Sequence, residues 1–450
     1  MVLSPGGPPL PSVPVCNLRE TLAFLRDPAL FTAGPGIRLG DFYRVRVPGY
    51  RLYVVTAPAV AEQILVNEAP HFEKSRVYWR ELRRIIGDSM GSLDGQRWEY
   101  LHRLQRPFFT PRAVGGYLPA VEALTTLHFQ RLAERLGTQS EVAVLDVFAD
   151  LNARIVLSVL FGQDGESGSL EVAHRIADGQ AIVAWRSKFP WRPVTGWFTG
   201  ANSRADRHKT FFSEYASRLE RSETSSSPRR LLHALMQVRD DPDAPGFPVS
   251  LLRNELTFHL GASTETQAVA EGWTLYLLWR HPEVLEQLRD EVSRVAGESR
   301  VSVQHVATMT YTKQVLQEAL RLYPPSYAIV RDCVQPVELR GFRASRGQVF
   351  VISVCGLHRN PRLWSEPDRF LPDRFQPDRA SAIGKYQYLP FGAGAHVCIG
   401  QHMALPCMTL AIAQFAQRFD WTFSDPDIRP VAPSSLKPSG AFRATLTHRS

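Results

Sequence analysis

The sequence has little cysteine, little lysine and no long apolar run. Five cysteines (Cys16, Cys333, Cys355, Cys398, Cys407) are scattered through 450 residues. Their odd number and unpaired spacing exclude a disulfide framework and point to a reducing compartment. No uninterrupted apolar stretch approaches the ~18 residues needed to cross a bilayer, so no membrane attachment and a cytoplasmic location are expected. Residues 1–35 are proline-rich at the start and lack a positively charged leader, which excludes a signal peptide. Only six of the 52 Lys+Arg are lysine, and the net charge of +8 is spread without a polybasic block. That pattern argues against nucleic-acid binding and fits a diffuse basic face for an acidic protein partner. Neither an internal repeat nor an independent linker is found, so one large domain over 1–450 is expected.

What is present is a 44% hydrophobic chain with enough length for a large core. Arg51–Thr56 reads as an early strand and Ala57–Asn67 as a helix, after which the pattern is mainly helical to about residue 320. Polar loops at Ser222–Pro228 and Asp240–Gly246 separate helices. Beyond Pro324 and Pro325 come β-like runs at Val334–Leu339 and Gln348–Val354, a loop-rich stretch and one more helix. The class is α+β, mainly α, with small sheets. One helix runs from a Ser250 N-cap to Arg280, where His281-Pro282 stops it. At a rise of ~1.5 Å per residue it is a rod of roughly 45 Å, and it must be central. Its middle, Gly261-Ala-Ser-Thr-Glu-Thr266, replaces Leu and Ile with small residues and hydroxyls, a pattern that a tight helix crossing explains equally well. Further on, Glu318 and Arg321 share a helix face at i, i+3, which by itself is an ordinary ion pair.

The strongest local signal is Phe391-Gly-Ala-Gly-Ala-His-Val-Cys-Ile-Gly400. Three glycines in ten residues permit strained turns and the close approach of a flat group. Its cysteine precedes a helix N-terminus, which favours a thiolate able to bind a metal. A buried structural cysteine is the plainer alternative. Zinc held by His396, Cys398, His402 and Cys407 fails on spacing, because Pro406 interrupts the helix that would carry two of the ligands.

With these residues in view, the chain resembles the cytochrome P-450 family of haem-thiolate monooxygenases almost from end to end. Phe391–Gly400 is similar to that family's cysteine-ligand loop, Glu318-x-x-Arg321 to its buried ion pair, and Phe370–Phe375 to the segment supplying the third member, Arg374. Ala262–Thr266 resembles the acid–alcohol signature, and Trp98, His102 and Arg331 resemble the haem-propionate contacts. The resemblance implies haem b as cofactor, with Cys398 as iron ligand and with Trp98, His102, Arg331, His396, Phe391 and Gly392 around it. A thiolate pushes electron density to iron and favours O–O cleavage. Glu265 and Thr266 would relay protons, and Glu318, Arg321 and Arg374 would lock the fold.

The same resemblance assigns substrate access to segments 75–91 and 180–200 and lining roles to Ala262, Tyr327, Ala328 and Ile329. The aromatic-rich stretch Trp185–Phe198 suits a large apolar ligand of terpenoid, steroid or polyketide type. No flavin or iron–sulfur segment is read, so electrons are expected from a separate ferredoxin or flavodoxin with its reductase, and oxygen from O2. A peroxide-using peroxygenase or fatty-acid hydroxylase and a non-catalytic haem sensor are the alternatives; the Glu265–Thr266 pair argues against both. Four positions depart from the family pattern: Ser263 stands for the usual glycine, Gln267 for a second hydroxyl, His396 stands where arginine is more common, and Pro406 should kink its helix.

Overall fold

The computed structural model describes residues 13–136, 139–163, 168–188, 201–222, 230–238 and 241–449. The side chains of Trp185–Phe198 and the polar loop after Ser222 lie outside the described residues. The chain forms two compact units, each assembled from separated segments.

The first unit comprises the described parts of Met1–Arg76, Gln314–Cys398 and Arg429–Ser439. Its framework is a five-stranded sheet of β1 (Phe42–Val47), β2 (Tyr50–Val55), β3 (Phe72–Lys74), β5 (Ala328–Cys333) and β8 (Gln348–Ser353), ordered β1-β2-β8-β5-β3. Only β2 and β8 pair in parallel. Aromatic and β-branched residues suit this pleated, half-covered surface. The Tyr53 ring stacks on Phe42 at 5.6 Å and on Phe350 at 5.4 Å, and Val55 and Ile352 complete the core beneath. Two short hairpin pairs accompany the sheet: β6 (Val337–Leu339) with β7 (Phe342–Ala344), and β10 (Pro430–Val431) with β11 (Lys437–Pro438). β5 escapes a reading of periodicity because Ala-Ile-Val-Arg-Asp-Cys is short and does not alternate. It nonetheless carries Arg331 in register with Lys74 on one side and Phe350 on the other.

The second unit comprises Val77–Lys313, Ile399–Ile428 and Gly440–Ser450 in their described parts. It is helical apart from the sheet of β4 (Gln139–Ala143), β12 (Arg443–His448) and β9 (Phe419–Phe423), in that order. The long helix spans Leu251–Arg280 and packs along the helix Val144–Phe161. From Ala268 to Leu278 every residue is buried, the mark of a helix inside a core. Ser250 precedes it but makes no side-chain cap hydrogen bond; its hydroxyl is instead 3.5 Å from Asn254 Nδ2. Trp421 Nε1 donates to the Leu275 carbonyl at 3.0 Å and ties β9 to the helix.

Two local expectations change. Segment 75–91, which the resemblance implies to be a substrate-access loop, contains the helix Arg76–Ile86, which buries Ile85 and Ile86. Pro406 sits in the second turn of a helix that continues from Gln401 to Arg418, so the missing N–H does not end it. Among the described residues no helix is long and apolar enough to cross a membrane.

Candidate active site

In the first unit, the loop from Phe391 closes when Cys398 N–H donates to the Phe391 carbonyl at 2.9 Å. Gly392 and Gly394 take φ values of +74° and +75°, in the left-handed region that disfavours side chains. At Gly394 space also forbids one, since a Cβ would stand 1.9 Å from the Leu65 carbonyl oxygen. His396 lies in the short 3-10 turn Gly394–His396 that follows. The loop therefore presents Cys398 exposed, while Cys16, Cys333, Cys355 and Cys407 are buried. Burial pushes the thiols of Cys16 up to about 11 and of Cys355 and Cys407 up to about 12, and raises that of Cys333. Among the described residues, no three His, Cys, Asp or Glu side chains group as metal ligands.

On β5, Arg331 is buried and its Nη1 donates to the Val330 carbonyl at 3.0 Å. Its neighbour Asp332 accepts from Ser75 Oγ at 2.6 Å and from Arg76 N at 3.1 Å, fixing the strand to the start of the Arg76–Ile86 helix. Ile329 approaches the cysteine loop: a Cβ on Gly392 would lie 3.5 Å from its Cδ1. Ala328 is half-buried beside it, and Tyr327 packs against the cluster of Ala29, Cys355, Ala432 and Leu436. Glu318 and Arg321, on the helix Thr310–Leu322, form a fully buried bidentate pair at 2.7 and 2.8 Å, and Arg374 Nε donates to Glu318 Oε1 at 3.2 Å.

In the second unit, Thr266 Oγ1 donates back to the Ala262 carbonyl at 2.5 Å and Ser263 Oγ to the His259 carbonyl at 2.7 Å. Such i−4 bonds satisfy a hydroxyl inside a helix. Tyr78, on the helix Arg76–Ile86, is pushed up to about 12 by burial and then by the Glu265 carboxylate. Tyr78 of that helix is thus near Glu265. Trp98 and His102, one turn apart on the helix Gly95–Gln105, stack at 4.8 Å. Trp98 packs against the apolar cluster of Met90, Leu93 and Leu101, and so does Ile399, the residue after Cys398.

Sequence reasoning misses two buried polar groupings here. Glu255 accepts from Met90 N at 2.6 Å and from Gln105 Nε2 at 3.0 Å, and His259 Nε2 meets Gln105 Oε1 at 2.6 Å. Glu271, fully buried, accepts from Asn152 Nδ2 at 2.8 Å. The available signal was an acid at each of two positions in a helix otherwise too apolar to face water.

The chain belongs to the cytochrome P450 family, whose model matches residues 37–444. It is similar to a cyclooctat-9-en-7-ol 5-monooxygenase of Streptomyces melanosporofaciens (28% identity; 94% of this chain, 90% of that one). A pentalenene oxygenase of Streptomyces avermitilis is 27% identical over 91% of each chain. The protein LUTEIN DEFICIENT 5, chloroplastic, of Arabidopsis thaliana is 26% identical over 91% of this chain and 72% of its own. The protein is thus a cytochrome P450 monooxygenase, and the family implies a haem and a redox partner. The residues of the first unit fit a haem-iron ligand: one accessible thiol, on a loop whose glycines leave no side chain at its bend.

Proposed function

We propose that this enzyme inserts one atom of O2 into an apolar terpenoid, by hydroxylation or epoxidation, consuming two electrons and two protons and releasing the other atom as water. The carrying observation is the exposure of Cys398 alone among five cysteines. Cys398 would ligate the iron of haem b; Arg331, His396, Trp98 and His102 would hold its propionates by charge-assisted hydrogen bonds, and Phe391 and Gly392 would border it. Thiolate-ligated haem supplies the oxygen activation. Thr266 and Glu265 would hold and pass protons, and Ala262, Tyr327, Ala328 and Ile329 would each offer apolar contact to the substrate. The terpenoid class is supported by the names of two bacterial relatives, which oxidise cyclooctat-9-en-7-ol and pentalenene.

Electrons would come from a ferredoxin or flavodoxin with its reductase, in the cytoplasm, a reading that the five free thiols support. The test has two arms. The reduced protein with carbon monoxide must show the strongly red-shifted Soret band of a thiolate ligand, and Cys398→Ala must lose it while Cys16→Ala keeps it. Turnover of cyclic terpenes and of fatty acids is then compared with reductant plus O2 and with peroxide alone. Absence of the thiolate band defeats the haem-thiolate reading; product from peroxide alone, or from fatty acids only, replaces the monooxygenase or the terpenoid assignment.

A further inference from the structure

Among the described residues, three polar atoms on one side of the long helix are buried without a hydrogen-bond partner: Thr264 Oγ1, Gln267 Oε1 and Glu271 Oε1. Thr264 and Glu271 are themselves almost wholly buried. With Ser263, whose hydroxyl donates to the His259 carbonyl and keeps its acceptor capacity free, they form one ridge: Ser263, Gln267 and Glu271 are spaced i, i+4, i+8, and Thr264 adjoins Gln267 at i, i+3. Neighbours on such a ridge are about 5–6 Å apart. Two hydrogen bonds of about 2.8 Å joined at one oxygen span the same distance, the reach that a bridging water needs. Ser263 in turn adjoins Thr266 at i, i+3. The two departures from the family pattern in this helix, Ser263 and Gln267, are thus the steps between Glu271 and Thr266.

Among the described residues, no charged group lies beside Glu271. The residue facing it from the helix Val144–Phe161 is Asn152, which bonds only Oε2. From the helix Gln401–Arg418 the titratable group coupled to it is the Cys407 thiol, itself pushed up to about 12 and neutral. A carboxylate in that setting would be desolvated with a single neutral donor, a state that burial makes costly. Burial accordingly pushes Glu271 up to about 8, so the group is mostly the neutral acid at pH 7.

We propose that Ser263, Thr264, Gln267 and Glu271 line a buried water track along the helix, and that Glu271 is an internal proton donor that resupplies Thr266. Glu271 passes its proton to the adjoining water as the track delivers one to Thr266 Oγ, and solvent restores the acid before the next turnover. The proposal rests on Glu265 and Thr266 being the proton-delivering pair.

The test uses the haem-loaded enzyme and two variants. Glu271→Gln keeps an acceptor for Asn152 and so preserves the packing, while Gln267→Leu breaks the track and leaves the acid. Infrared difference spectra of wild type against E271Q should show the carbonyl stretch of a protonated carboxylic acid, shifted in D2O, that E271Q lacks and Q267L keeps. Both variants should send a several-fold larger share of consumed O2 to peroxide and raise the solvent isotope effect, and in wild type peroxide should grow above pH 8 as the acid ionises. The inference is overturned if E271Q removes no carboxylic-acid band, or if both variants divide O2 as wild type does. The infrared band and the fate of O2 are read with any bound apolar ligand, so failure of the terpenoid assignment leaves this result standing, and the reverse.

Discussion

All five N–H groups of the buried Arg321 guanidinium have an acceptor. Nε and Nη2 meet the two Glu318 oxygens, Nη1 meets the carbonyls of His358 and Pro367 at 2.7 Å each, and Nη2 also meets that of Arg369 at 3.1 Å. Leu371 N and Arg374 Nε add two donors to Glu318 Oε1. Glu318→Gln leaves that cation buried without its counter-charge, which costs about 3–5 kcal/mol. Urea unfolding should show a loss in that range, and a loss under 1 kcal/mol would mean that the carbonyls alone hold the guanidinium. Thr266 differs, because it is half-buried and its hydroxyl donates to its own helix. Thr266→Ala should therefore leave haem content and substrate-induced spectral shifts near wild type while product per reductant falls, the assisted step slowing ~10²-fold or more. Unchanged coupling would reduce Thr266 to a packing residue.

At the scale of elements, the cysteine loop is governed by backbone approach. A side chain at Gly394 meets both a left-handed φ, worth roughly 1–2 kcal/mol, and the rigid Leu65 carbonyl. Gly394→Ala should lower haem retained per protein through gel filtration, whereas Gly384→Ala, whose Cβ would only touch the Gln387 side chain at 3.4 Å, should not. Equal haem retention in both would show that the loop yields. The glycine-rich loop, the limits of the long helix and the Glu318-x-x-Arg321 pair were legible in the sequence, because each rests on residues within one turn or one loop. β5 and the Arg76–Ile86 helix were not. The first is a short strand completed by partners more than 250 residues earlier, and the second is a helix whose charged face outweighs its apolar one.

At the scale of the whole molecule, four histidines are buried neutral. Burial holds His358 and His259 down to about 3, and His128 and His208 down to about 4. In the unfolded chain each takes a proton near pH 6.5, while the folded one does not. Stability is therefore unaffected above pH 6.5 and falls as pH drops below it, by about 2 kcal/mol per histidine at pH 5. Urea midpoints at pH 7.5, 6 and 5 should decline in that order; a flat profile would show that these rings are protonated within the fold.

Charge sets a second expectation at this scale. Arg103 and Arg106 of the Gly95–Gln105 region and Arg379 and Lys385 before the cysteine loop are exposed, whereas Arg97 is held by Asp88 at 2.8 Å. Reduction by an acidic ferredoxin should slow with added salt, and slow again in Arg103→Glu with Arg106→Glu and in Lys385→Glu. Arg97→Glu should act mainly on stability. A rate indifferent to salt and to these reversals would place docking elsewhere.

The sequence by itself determined the mainly α class, the position of the thiol and the pairing of Glu318 with Arg321, since helix period, glycine freedom and i, i+3 spacing act over a few residues. Tertiary structure decided which carbonyls from residues 358–369 complete the donors of Arg321. It also decided that Asn152, 119 positions away, is the partner of Glu271. A buried polar group takes whatever donor the fold brings within about 3 Å, and that choice belongs to packing between segments far apart in the chain.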